Sequence, residues 1–158
     1  MLSGGAGHMY GNHYTWTFAP GWQQNLDTPG ALQLKYMKQF FGARQWWNLV
    51  PDQNHIVVTA GYGTFATSGS LNSNDYVTAA RVPDGSLVIA YCPTSTTITV
   101  DMTQLNGLVT ARWFDPSTAT FQAIEGSPFA NAGTQSFPTP GTNGGGAGDW
   151  VLVLETAD

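Results

Sequence analysis

From His55 onward the period of the sequence changes to two, in short runs broken by turn residues. That period admits β-strands and little else, because alternate side chains of a strand point to opposite faces. Ile56-Val57-Val58-Thr59-Ala60 is apolar and β-branched. The segments 76–82 and 86–92 are joined through Pro83-Asp84-Gly85, residue types that suit a hairpin turn. The segment 97–101 sets Ile98, Val100 and the following Met102 on one face. In 109–115, Val109, Ala111 and Trp113 alternate with Thr110, Arg112 and Phe114, and Asp115-Pro116-Ser117-Thr118 turns the chain into 119–124. Short strands over 134–137 and 150–155 complete the series. About seven to eight strands at this spacing predict a mainly β chain, folded as an antiparallel β-sandwich with one N-terminal helix.

The first 50 residues obey other rules. Residues 2–11 contain four glycines and lead into His8, Met9 and Tyr10, a pattern that predicts a buried strand with polar groups at its end. Residues 12–22 read as an aromatic loop. A helix is predicted over 29–41: Asp27 or Thr28 caps it, Pro29 suits the first turn and Gly42 the stop. Leu34, Met37 and Phe41 share its apolar side, while Lys35 and Lys38 face water. Between the two halves lies Arg44-Gln45-Trp46-Trp47-Asn48-Leu49-Val50-Pro51-Asp52. Two adjacent tryptophans bring much apolar surface to one point, and Pro51 makes the chain leave extended, so a packed joint is expected. The division is therefore a strand-loop-helix segment over 1–50 and a sandwich over 51–158.

Composition narrows the partners. Charged residues are 9% and aromatic residues 13%, and a net charge of -5 with five basic residues excludes a nucleic-acid binder. No run reaches the roughly 18 apolar residues of a membrane helix, so no membrane partner is expected. The first residues lack the basic and apolar regions of a signal peptide. Cys92 has no second cysteine to pair with and reads as a small buried hydrophobe.

Few reaction chemistries survive inspection. There is no Gly-x-Ser-x-Gly elbow, the histidines are His8, His13 and His55 alone, and no base adjoins Cys92. His8 and His13 are five apart, which misses the helical ligand spacing, and no zinc pattern occurs. Asn72, Asn74 and Asp75 offer oxygens to calcium, but such clusters are ordinarily turn formers. No metal and no cofactor are expected. The glycine-rich loop 142–148 has no lysine and no following helix, so it is given no phosphate-cradling role. Glycoside hydrolysis needs two carboxylates across a cleft. Asp27, Asp84 and Asp115 have capping or turn duties, none of the ten acids adjoins the N-terminal aromatic stretch in sequence, and no catalytic pair nominates itself. Aromatic platforms remain, because a pyranose ring stacks its C–H face on an aromatic π-face. His8, Tyr10, His13, Tyr14 and Trp16 are the candidate carbohydrate-binding residues; Trp113 and Trp150, on alternating strands, are expected in the core.

Three stretches carry a family resemblance. Ala6-Gly7-His8-Met9-Tyr10-Gly11 with Trp16, then Pro29-Gly30, then Trp47-Asn48-Leu49-Val50-Pro51-Asp52 resemble the end of the catalytic domain in apiosidase-like glycoside hydrolases, bacterial (β/α)8 barrels acting on plant cell-wall glycans. Tyr91-Cys92-Pro93, Ala111-Arg112-Trp113-Phe114-Asp115-Pro116 and Asp149-Trp150-Val151-Leu152-Val153-Leu154 resemble the β-sandwich that follows such barrels, known as a "putative collagen-binding domain of a collagenase". The resemblance implies that residues 1–50 correspond to the last barrel strand and helix, and that the barrel's catalytic carboxylates lie on strands this chain lacks. It implies an accessory sandwich of a larger extracellular or periplasmic hydrolase, with His8 and Tyr10 at the rim of a site for polysaccharide or oligosaccharide. The alternatives are a small stand-alone glycoside hydrolase and a matrix- or collagen-binding module. A strand without neighbours and a helix without full cover also imply self-association through residues 1–41.

Overall fold

A computed structural model describes residues 1–65 and 74–156. Among these, nine strands form two antiparallel sheets. The strands are β1 (Val50–Pro51), β2 (Val58–Ala60), β3 (Thr78–Arg81), β4 (Leu87–Cys92), β5 (Thr97–Asp101), β6 (Val109–Asp115), β7 (Thr120–Ala123), β8 (Thr134–Pro138) and β9 (Trp150–Thr156). The larger sheet has the order β1-β3-β4-β9-β6-β7 and the smaller β2-β5-β8. Two helices precede them, α1 (His13–Trp16) and α2 (Pro29–Gly42). The expected mainly β sandwich with an N-terminal helix is the fold observed.

The inter-sheet core is built from the faces that alternation marks. Val88, Ala90 and Cys92 of β4, Trp113 of β6 and Leu152 and Leu154 of β9 meet Ile98, Val100 and Phe137 of the smaller sheet, all buried. Burial pushes the Cys92 thiol up to about 12, so it serves as packing and not as a nucleophile. Trp150 is buried as expected, with its indole N–H on the Gly141 carbonyl at 2.8 Å.

The larger sheet is buried on its other face too. Ile89, Phe114, Val151 and Val153 point away from the smaller sheet and pack with Phe40 of α2. This explains why Leu87-Val88-Ile89-Ala90 and Val151-Leu152-Val153-Leu154 are apolar at every position rather than every second one: a strand covered on both sides has no solvent face. The molecule therefore has three layers, with the helix on the outer face of the six-stranded sheet.

Thr28 stands at the N-cap of α2 without a side-chain capping bond, Pro29 opens the helix, and it runs one residue past the expected end. Arg44, just beyond it, ties it down. The Arg44 guanidinium lies 4.3 Å from the Phe40 ring centre, donates to the Phe40 carbonyl at 2.7 Å and meets Glu155 of β9 at 2.9 Å. Glu155 also pairs with Arg112 of β6.

Two expectations for the N-terminal half are corrected. Residues 2–11 contain no strand, although Leu2 packs into the outer cluster. A strand needs a ladder partner for its amides, and the neighbouring edge is β1, two residues long, whose Pro51 has no N–H to offer. The tryptophan pair is not the packed joint either. Trp46 is half-buried, and Trp47 stands 65% exposed, edge-on to it. Arg44, Phe40 and Leu49 make the joint instead.

Candidate functional site

Where α2 crosses the outer face of the sheet, a cavity of about 630 Å³ remains. Its floor is apolar, formed by Ile89, Phe114 and Val151. Leu34 and Met37 of α2 wall one side, and His8 and Tyr10 stand at the rim. Tyr10 is held over the start of α2: its hydroxyl lies 3.5 Å from the Thr28 hydroxyl, and its ring passes so close to Gly30 that a Cβ there would meet the Tyr10 oxygen at 2.8 Å.

The opposite end is polar and built by the loop before β9. Asn143 is buried, and its amide satisfies four partners. Nδ2 donates to the Asp149 carbonyl (3.1 Å) and to Asp149 Oδ1 (2.8 Å), while Oδ1 accepts from the Gly145 amide (2.9 Å) and the Ala147 amide (3.0 Å). Asp115, at the end of β6, anchors the loop from below, its Oδ2 accepting the Gly144 N–H at 2.8 Å. Gly144 and Gly145 are required by close approach, since a Cβ on them would lie 2.6 Å from Thr118 and 2.8 Å from Ser117. Burial pushes the Asp115 carboxyl up, but hydrogen bonds from Ser117 and Gly144 outweigh it and hold the group below the usual carboxylate range.

Asp149 is the functional group this loop delivers. Its Oδ2 accepts from the Tyr91 hydroxyl at 3.2 Å. Burial, then the Asp149 charge, pushes Tyr91 up to about 12, so the phenol stays a donor at all ordinary pH. An apolar floor with an aromatic rim and a fixed carboxylate-phenol-amide corner suits a small neutral ligand that presents both C–H faces and hydroxyls. Asp149 is the one carboxylate among the lining residues, whereas hydrolysis of a glycosidic bond uses two.

Of the residues singled out in sequence, the structure brings His8 and Tyr10 to this cavity. His13, Tyr14 and Trp16 lie on the single turn of α1, capped by the Asn12 side chain, and do not line it. All three are exposed, Trp16 at 77%. Tyr91, Asn143 and Asp149 were missed. The glycine-rich loop 142–148, given no phosphate-cradling role from sequence, forms a wall of the cavity, and Asp149 does stand beside the N-terminal segment in space though not in sequence. An asparagine ahead of three glycines was the available signal, since bare glycine amides need an acceptor and Asn supplies one.

No group of three or more His, Cys, Asp or Glu stands together to hold a metal ion among the described residues. Asn74 and Asp75 are occupied as turn acceptors, for the Tyr76 and Thr64 amides; Asn72 lies outside the described residues. No described helix is long and apolar enough to cross a membrane.

Comparisons with known proteins agree with this architecture. Residues 50–155 match the family described as "Putative collagen-binding domain of a collagenase", and residues 1–48 match the apiosidase-like catalytic domain. Among solved structures, a protein titled glycoside hydrolase superposes with TM-score 0.65 at 23% identity, over 86% of this chain and 27% of that one. A family 5 glycoside hydrolase from Bacteroides vulgatus ATCC 8482 superposes with TM-score 0.63 at 21% identity, over 85% of this chain and 26% of that one. The chain thus spans about a quarter of the length of either structure. No curated protein matches the sequence.

Proposed function

Because the chain belongs to the "putative collagen-binding domain of a collagenase" family and is a glycoside-hydrolase-related domain, we propose that it is the carbohydrate-associated accessory sandwich of a larger glycoside hydrolase. The parent is a secreted bacterial enzyme, extracellular or periplasmic, acting on plant cell-wall polysaccharide. In this reading the sandwich holds the last segment of the neighbouring domain in place and adds sugar contacts, and the chain by itself performs no hydrolysis.

The observation that carries the proposal is the shared cavity. His8 and Tyr10 come from the apiosidase-like segment, Asn143 and Asp149 from the sandwich, and one space is lined by both. Its single lining carboxylate can accept a hydrogen bond from a sugar hydroxyl but lacks the partner needed for displacement. His13, Tyr14 and Trp16, exposed beside this rim segment, extend the aromatic surface offered to a longer glycan.

The test is binding and turnover on one panel of xyloglucan, β-glucan and pectic oligosaccharides. Binding without release of reducing ends is the expected result, with Asp149→Asn and Tyr10→Ala each weakening it. Hydrolysis by the chain alone would overturn the accessory reading in favour of a small hydrolase. Binding to collagen and to no glycan would overturn it in favour of a matrix module.

A further inference from the structure

We infer that the sandwich carries a second sugar-contacting site, formed by Gln53, His55, Tyr62, Thr64, Phe65 and Tyr76. This deepens the carbohydrate reading above and rests on it. The site is an open surface hollow of about 540 Å³ and shares no lining residue with the cavity under α2.

Its rings combine one parallel stack with two edge-on contacts. His55 lies flat on Tyr62, with ring centres 3.6 Å apart and planes 7° from parallel. Tyr76 meets His55 edge-on at 5.8 Å, with its hydroxyl 3.3 Å from His55 Nε2. Phe65 in turn stands edge-on to Tyr76 at 5.3 Å and is 66% exposed. A phenylalanine left so bare loses the benefit of burial, and its neighbours present it instead of covering it.

The mounting is rigid. His55 has φ +52°, a left-handed conformation that a side-chain-bearing residue rarely adopts. Asp52 imposes it: this buried carboxylate accepts from the amides of Ile56, Val57 and Val58, and its carbonyl accepts the His55 N–H at 3.2 Å. On the other side Gly63 has φ +72°, and a Cβ there would lie 2.5 Å from the Asp75 carbonyl oxygen. Asp75 Oδ1 accepts the Thr64 N–H at 3.1 Å, and the Tyr62 carbonyl accepts the Val77 N–H at 2.8 Å. Backbone strain held in place by a buried acid, next to a row of rings, marks a placed group and not a slack loop.

The chemistry selects the ligand class. No lining residue carries a permanent charge, which disfavours phosphate, sulfate and uronate groups. A bare ring offers a face for the C–H edge of a pyranose, and the Gln53 amide, the Thr64 hydroxyl and the Tyr76 hydroxyl border it as donors and acceptors for sugar hydroxyls. The occupant is a neutral hexose or pentose unit of a glycan.

The experiment is an amide correlation spectrum of the full chain, titrated separately with cellohexaose, xylohexaose, mannohexaose and a decaproline peptide. Shifts at Gln53, Thr64 and Tyr76 with at least one glycan, and roughly tenfold weaker binding in Phe65→Ala, are expected. Phe65 is exposed, so that variant should melt as the natural chain does; Thr64→Ala is the second variant and should weaken the same shifts. Shifts only around Tyr10, Asn143 and Asp149 would overturn this site while leaving the accessory reading intact. No shift anywhere would sink both. Shifts at these residues with decaproline alone, or glycan shifts undiminished in Phe65→Ala and Thr64→Ala, would overturn the inference.

Discussion

Tyr10 keeps its place because residue 30 has no side chain. A methyl at Gly30 would meet the Tyr10 oxygen at 2.8 Å and two ring carbons at 3.3 Å. Those atoms are the far end of a side chain that is 40% exposed, so the ring would move and the helix would stay. Alanine also favours a helix by about 1 kcal/mol over glycine. Gly30→Ala should therefore leave stability unchanged or raise it by up to about 1 kcal/mol in urea melts, yet weaken glycan binding. Unchanged binding would remove Tyr10 from the site. Asp115 offers a contrasting case, since it organises the cavity wall without lining it. Asp115→Asn leaves the loop amides with a poorer acceptor, for an expected loss of about 1–3 kcal/mol. Its carboxyl is held below the ordinary range in the folded state, so its contribution is fully present above the unfolded value. That contribution disappears as pH falls through the folded value. Stability of the natural chain should drop on acidification below about pH 4, and the asparagine variant should show a shallower drop. Parallel slopes would mean that other acids dominate.

At the scale of elements, the contrast between Trp113 and Trp16 separates core from surface. Trp113 is buried between the sheets and Trp16 projects from α1. Trp113→Ala should cost about 3–5 kcal/mol, and Trp16→Ala should stay within about 0.5 kcal/mol of the natural chain. Equal losses would make the aromatic loop part of the core. Such elements were legible in sequence where a local rule decides them. Strands β5 and β6 begin and end where alternation puts them, and α2 starts at the proline that suits its first turn. What escaped was set by contacts distant in sequence. Nothing local to Leu2 or Tyr10 says that no ladder partner is near, and nothing local to Trp47 says that Arg44 takes over the joint. The candidate site was half legible for the same reason: His8 and Tyr10 were conspicuous as aromatic groups. Asp149 becomes relevant only when Asn143 folds the glycine loop and Asp149 meets Tyr91, 58 positions away in sequence. The uninterrupted apolar runs of β4 and β9 were the one sequence sign that the sheet carries a third layer.

For the whole molecule the layer order decides what is left exposed. The sheet covers the C-terminal part of the apolar side of α2, with Phe40 buried against Phe114 at 4.6 Å between ring centres, while Leu34 and Met37 face the cavity. The large apolar side chains still facing water within residues 1–41 are those of the aromatic loop and its flanks: Met9, Tyr10, Tyr14, Trp16, Phe18 and Leu26. We propose that isolated chains associate through this surface, since apolar groups gathered on one segment drive self-contact. Deleting residues 1–41 would be a poor test. It would strip Phe40 from the sheet and uncover Ile89, Phe114, Val151 and Val153, creating a new sticky face while removing the old one. Trp16→Ser combined with Phe18→Ser leaves the three layers untouched, because both residues are exposed. Light scattering across a concentration series should give a mass that rises for the natural chain and stays at one copy for the double variant, with the two melting alike. A natural chain that remains monomeric at every concentration would end the proposal. Association that persists in the double variant would place the contact elsewhere, with Trp47, exposed beyond α2, the next surface to change.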